Sequence, residues 1–250
     1  MNGSMRNIFS RAKLTPRRWA MLARRETWLV IAFAVGAAAL FLLLKIGSEI
    51  REGDTRAFDE ALLLALRDPS DPARPVGPAW LALATRDITA LGGVTLLTLL
   101  TLLAAGYLLA ARRAATALFL VAAVSGGATM SMLLKPAFSR ARPELVAQLI
   151  DVHSASFPSG HAMNSAVTYL TLGVLLARAE RVPRVKVYLI FAALMLTLLV
   201  GLTRVYLGVH WPTDVLAGWV VGGAWAIACW AVAVRLQQRQ STESAPKPFD

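Results

Sequence analysis

His210 and Asp214 stand four residues apart, shortly after Arg204. Pro212 suits the first turn of a helix, and a four-residue spacing brings both side chains to one turn. A carboxylate bonded to one imidazole nitrogen fixes the tautomer and leaves the other nitrogen free as a nucleophile. A purely structural His–Asp pair has the same spacing. A second histidine, His161, follows Pro158, Ser159 and Gly160 at the start of an apolar run. Serine is a good N-cap, glycine lets backbone approach a ligand, and N–H groups at a helix start bind anions. A histidine there can protonate a departing oxygen; the plain alternative is a capped helix with an incidental histidine. Lys135, Arg140 and Arg142 place three cations within eight residues, and Pro143 fixes the loop behind them. A lysine at the end of an apolar run often snorkels to an interface. Three cations together suit an anion better, because an arginine fork matches phosphate oxygens and lysine adds a point charge. The chemistry these residue types point to is phosphate chemistry. His153 is the only other histidine, with no HxxxH pair or carboxylate cluster, so neither metal nor other cofactor is expected.

Each cluster falls at the edge of an apolar run. Of the 250 residues 56% are hydrophobic, and mean hydropathy is +0.55, above the roughly 45–50% apolar content of soluble domains. Six runs approach the roughly 20 residues that cross a bilayer as helix: 28–47, 92–111, 114–134, 162–178, 187–203 and 213–234. None alternates in polarity as a barrel strand does. The expected fold is therefore an all-α membrane protein, a bundle of six transmembrane helices over 28–235. Residues 48–91 form a polar outer segment. In it Phe58, Ala61, Leu62, Ala65 and Leu66 make an apolar stripe, with Asp59, Glu60 and Arg67 off it, as in a helix lying on the membrane surface. Gly218 and Gly222 form a small-residue pair for close helix packing.

Charge sets the orientation. With the N-terminus inside, 16 of the 26 Lys and Arg residues and 4 of the 15 acidic residues are cytoplasmic, leaving +12 inside and −1 outside. This is the positive-inside pattern. It places both termini in the cytoplasm and all three clusters on the outer face. Residues 1–27 read as a basic cytoplasmic arm, too long in its charged and apolar parts for a cleaved signal peptide. Residues 236–250 read as a disordered cytoplasmic tail. The net charge of +11 is explained by topology, not by nucleic acid. The lone Cys229 makes no internal disulfide, and burial in a span argues against a reactive thiol.

Lys135-x6-Arg142-Pro143, Pro158-Ser159-Gly160-His161 and Thr203-Arg204-x5-His210-x3-Asp214 resemble the three-part signature of the type-2 phosphatidic acid phosphatase family, over about residues 92–234. The resemblance implies that His210 attacks phosphorus, Asp214 orients it, and His161 protonates the leaving group and then activates water. It implies that Lys135, Arg142, Ser159, Gly160 and Arg204 hold the phosphoryl oxygens, with no metal. Thr203 stands where the family usually has serine; Arg140, His153 and Trp211 lie outside the shared pattern. The expected function is a metal-independent membrane lipid phosphatase in a cell membrane, such as a bacterial inner membrane. Its site would face the periplasm and take a lipid phosphate or diphosphate from the bilayer. Undecaprenyl diphosphate, phosphatidate, phosphatidylglycerol phosphate and lipid A phosphates all fit. The alternatives are a lipid phosphotransferase of the same family, or a transporter or flippase using the cations as an anion path.

Overall fold

The computed structural model describes residues 16–152 and 154–243, with side chains placed at 27, 30–152 and 154–235. His153, the first 15 residues and the side chains of the arginines at 17, 18, 24 and 25 lie outside the described residues. Eight helices carry the chain: α1 (Pro16–Glu52), α2 (Arg56–Leu64), α3 (Ala79–Ala90), α4 (Val94–Ala110), α5 (Ala114–Phe138), α6 (Gly160–Ala179), α7 (Pro183–Tyr206) and α8 (Pro212–Glu243). A short antiparallel ribbon, β1 (Arg67–Asp68) and β2 (Asp71–Pro75), joins α2 to α3. The Asp68 and Asp71 carboxylates accept backbone N–H groups two residues on, from Ser70 and Ala73, and so turn the chain at the two Asp-Pro steps.

Four helical stretches are long and apolar enough to cross a membrane: Val30–Glu52, Ala114–Phe138, Pro183–Tyr206 and Pro212–Arg235. Helices α3 and α4 together make a fifth, bent by 47° at their junction. The structure thus differs from the six-run reading at two places. The run at 92–111 extends back through α3, which sequence placed in the polar segment 48–91. The run at 162–178 is α6, which is too polar to count as a span by composition. Its 20 residues still measure about 30 Å at 1.5 Å per residue. Its Ser165, Thr168 and Thr171 are buried, because α6 packs against α4, α5, α7 and α8 and so meets helices instead of lipid. The outer helices show the reverse pattern. Phe33 is 79% exposed, and Leu102, Tyr107, Leu118, Leu133 and Val187 also face outward. Large exposed apolar faces of this kind mark a surface that meets lipid. The chain is a multi-pass membrane protein.

Glycine sets how closely α6 meets α8. A Cβ at Gly218 would stand 2.8 Å from the Ser159 carbonyl oxygen, and one at Gly222 would stand 2.6 Å from that of Met163. Both obstacles are backbone, so neither can yield. The small-residue pair therefore serves packing within the chain. It brings the N-terminal ends of α6 and α8 together. The α1 backbone is helical from Pro16 and that of α8 to Glu243.

Helix α2 turns its apolar stripe outward, as a helix lying on the membrane surface does. Phe58 is 50% and Leu62 44% exposed, and Ala61 and Ala65 are exposed beside them. The buried residues are Leu63 and Asp59, both at 0%. An acid is buried this way only with partners, and those partners lie in the site.

Candidate active site

The C-terminal ends of α5 and α7 and the N-terminal ends of α6 and α8 meet at one end of the bundle. Each sequence cluster is carried there by a terminus. Ser139 ends α5 in the left-handed conformation, φ 44°, which turns the chain sharply toward Arg140 and Arg142. Gly208, at φ 72°, turns the chain between α7 and His210; a Cβ there would meet Arg67 Nη2 at 2.7 Å and the Ala147 carbonyl at 2.9 Å. The Arg204 carbonyl accepts the N–H groups of Val209 and His210 at 3.2 and 3.3 Å, fixing His210 to the end of α7. The Ser159 N–H donates to the Asp214 carbonyl at 3.0 Å and links α6 to α8.

His210 is 2% exposed and Asp214 is fully buried. Nδ1 of His210 faces Asp214 Oδ2 at 3.5 Å, longer than an ordinary hydrogen bond. Ser156 lies beside both groups. Its hydroxyl donates to Asp214 Oδ2 at 2.5 Å and lies 3.4 Å from His210 Nδ1. The Trp211 N–H donates to the same carboxylate oxygen at 3.0 Å. The other ring nitrogen, Nε2, faces Arg142 Nη1 at 3.3 Å. Burial pushes the His210 pKa down to about 4, against the opposing pull of Asp214. The ring is therefore neutral at pH 7, with a lone pair available on one nitrogen.

Arg142 is the cation at Nε2. Arg142 donates from Nε to the Ser154 carbonyl at 2.8 Å, and from Nη1 to the Val209 carbonyl. Burial holds its guanidinium below its usual pKa. Lys135 Nζ donates to Ser154 Oγ at 2.7 Å, and Arg142 Nη2 reaches the same hydroxyl at 3.3 Å. Ser154 thus ties the two cations to one loop. Lys135 Nζ also lies 4.0 Å from where a Gly160 Cβ would stand, which puts the ammonium beside the start of α6. Arg204 is 1% exposed and donates to Thr89 Oγ1 at 3.0 Å. Arg204, Lys135 and Arg142 lie close enough to His161 for their charges to act on it, and His210 is its neighbour as well. The structure thus brings together all eight residues that the sequence singled out. Arg204 Nε and Ser159 Oγ are buried with no hydrogen bond inside the protein. Buried polar atoms rarely lack partners, and these two belong to the set expected to hold phosphoryl oxygens.

The model of the PAP2 superfamily matches residues 114–238. Phosphatidylglycerophosphatase B of Bacillus subtilis is 32% identical over 185 residues, which cover 73% of this chain and 86% of that protein. This chain belongs to the PAP2 superfamily. A lipid A 1-phosphatase of Rhizobium johnstonii is 36% identical over 117 residues, 43% of each protein. The crystal structure of a transmembrane PAP2-type phosphatidylglycerolphosphate phosphatase from Bacillus subtilis superposes with a TM-score of 0.68 at 26% identity, covering 86% of this chain and 98% of that one.

Three features of this PAP2 site escape motif reading. Ser156 lies two residues before Pro158 and carries no signal of its own. Arg140 was legible as a cation but not as a partner: Nη1 donates to Asp214 Oδ1 and Nη2 to Asp59 Oδ2, each at 2.6 Å. Asp59 looked like the solvated side of α2. A search for the acid that neutralises a third cation in the PAP2 loop could have found it. Thr203, the one departure from the family pattern, bonds back to the Val200 carbonyl at 2.6 Å and points its hydroxyl into its own helix. Trp211 lies under Arg140, 5.4 Å from guanidinium carbon to ring centroid, and its indole N–H donates to the Ala141 carbonyl. A cavity of about 810 Å³ opens between α5, α6 and α8, lined by Arg113, Phe119, Leu170, Arg178 and Trp230. It includes none of the eight site residues.

Proposed function

We propose that this chain is an integral membrane lipid phosphatase that works through a phosphohistidine. The observation that carries the reading is the convergence of His210, Asp214, His161 and three cations at one end of an apolar bundle. His210 Nε2 attacks phosphorus, and the bond from phosphorus to the lipid oxygen breaks. His161 gives its proton to that oxygen, which leaves as the lipid alcohol or, from a diphosphate, as the lipid monophosphate. His161 then takes a proton from water, the water oxygen attacks phosphorus, the P–N bond breaks, and phosphate departs. Lys135, Arg142, Arg204, Ser159 and the Gly160 N–H hold the charge as it spreads over the phosphoryl oxygens. The named relatives act on phosphatidylglycerophosphate and lipid A, which supports a lipid phosphate or diphosphate substrate from the bilayer.

Purified protein in detergent, assayed against a panel of lipid phosphates, is expected to release inorganic phosphate in excess EDTA, with inhibition by vanadate. Among the described residues no three of His, Cys, Asp and Glu gather as metal ligands, and the cations already supply the charge a metal would bring. Activity lost on chelation and restored by a divalent ion would contradict this mechanism.

We further propose six crossings, with α6 as the central one, both termini cytoplasmic and the site outside. The charge asymmetry supports this orientation; the outward apolar face of α2 fits a helix resting at the membrane surface. A cysteine replacing the exposed Gln148 should react with an impermeant reagent from outside. A reporter fused after residue 250 should work only if it functions in the cytoplasm. The opposite result in both assays would move the substrate pool to the inner leaflet.

A further inference from the structure

The buried acid on α2 has no part in the chemistry above. Asp59 is fully buried, 81 residues in sequence from Arg140 and 154 from Thr213, yet bonded to both. Its Oδ1 accepts the Thr213 N–H at 2.9 Å; its Oδ2 accepts the Thr213 hydroxyl at 2.7 Å and Arg140 Nη2 at 2.6 Å. Arg140, whose side chain is 12% exposed, spends its other nitrogen on Thr213 Oγ1 at 2.8 Å and Asp214 Oδ1 at 2.6 Å. One guanidinium therefore bridges two buried carboxylates, from a helix remote in sequence to the residue that faces His210.

The division of contacts on Asp214 gives the bridge its effect. Oδ1 is held by Arg140, while Oδ2 takes Ser156 and the Trp211 N–H and faces His210. With Oδ1 fixed, the carboxylate cannot rotate about its bond to Cβ, so Oδ2 stays toward Nδ1. Arg140 is itself fixed by Asp59 on one side and by the Trp211 ring on the other. We infer that Asp59 and Arg140 are positioning residues for the Asp214–His210 pair, and that α2 is part of the catalytic apparatus instead of a connector. The inference rests on the proposed phosphohistidine reading.

A double-mutant cycle on the full chain in detergent tests it, with steady-state kinetics on an active lipid phosphate and a thermal melt for each variant. Asp59→Asn should lower kcat about 10-fold, the scale on which misplaced reacting groups act, with KM within about twofold. In an Asp214→Asn background the same change should cost less than about twofold, because the group it positions is gone. Arg140→Lys keeps the charge but not the two-armed reach, and should behave in the same way. An Asp59→Asn enzyme with native kcat overturns the inference. So does an equal loss in both backgrounds, which is the mark of general structural damage. Failure of both variants to accumulate as folded protein would also overturn it, by assigning the bridge to stability alone. The His210→Ala control separates the two claims. If that variant is active, the phosphohistidine reading fails. If it is inert while Asp59→Asn is fully active, only the positioning role fails.

Discussion

Replacing His210 with alanine is expected to abolish turnover, by at least about 10⁴-fold, the scale on which loss of a covalent nucleophile acts. The ring is neutral at pH 7 because burial brings its pKa to about 4. Its Nε2 faces Arg142, which Ser154 ties to Lys135. Alanine leaves the Arg204 carbonyl contact intact, since the backbone N–H makes it, so the variant should still fold. His161→Ala should separate the two steps. A substrate with a good leaving group should still phosphorylate His210, because it needs no proton from His161. Turnover at near-native rate in His210→Ala would remove the mechanism.

The second large effect is expected at Asp214. Asp214→Asn should lower kcat by at least about 10²-fold; the corresponding change in a serine-protease triad costs about 10⁴-fold. Asparagine can keep one oxygen on Arg140 Nη1 but then turns its NH₂ toward Ser156, the Trp211 N–H and His210 Nδ1. Ser156 can adapt by accepting. The Trp211 N–H cannot, and an NH₂ donating to Nδ1 would force the proton onto Nε2, the nitrogen that must attack. The variant therefore selects the wrong tautomer. It also leaves a buried N–H facing a donor, so a stability loss of about 1–3 kcal/mol should accompany it. Near-native turnover, or failure to fold at all, would show Asp214 to be structural.

Much of this site was legible because its residues sit at helix ends. Lys135, His161, Arg204 and Asp214 each mark a point where an apolar run meets polar sequence, and the order of runs brings alternate ends together. The His210–Asp214 spacing was legible in part. The two residues do face each other, but at 3.5 Å, with the Ser156 hydroxyl donating to the same carboxylate oxygen; spacing fixes a turn, not what a neighbouring loop brings up. Helix α6 was legible as an apolar run but not as the bundle's centre, because Ser165 and Thr168 look the same in sequence whether they meet helices or water. The apolar stripe of α2 was legible, but the burial of Asp59 behind it was not. In a soluble protein the stripe of Phe58 and Leu62 would point inward. In a membrane protein an apolar face can point out, and the inward position falls to Asp59, whose partners lie far along the chain. No local periodicity carries that information.

The central claim is a covalent bond between His210 and phosphorus. Enzyme mixed with a lipid phosphate labelled at the phosphoryl group, quenched within one turnover and digested, tests it most directly. The account predicts one labelled peptide containing His210, stable in base, labile in acid and absent from His210→Ala. Label on another residue, or full release of phosphate with no labelled protein under conditions that trap a phosphohistidine control, would contradict it.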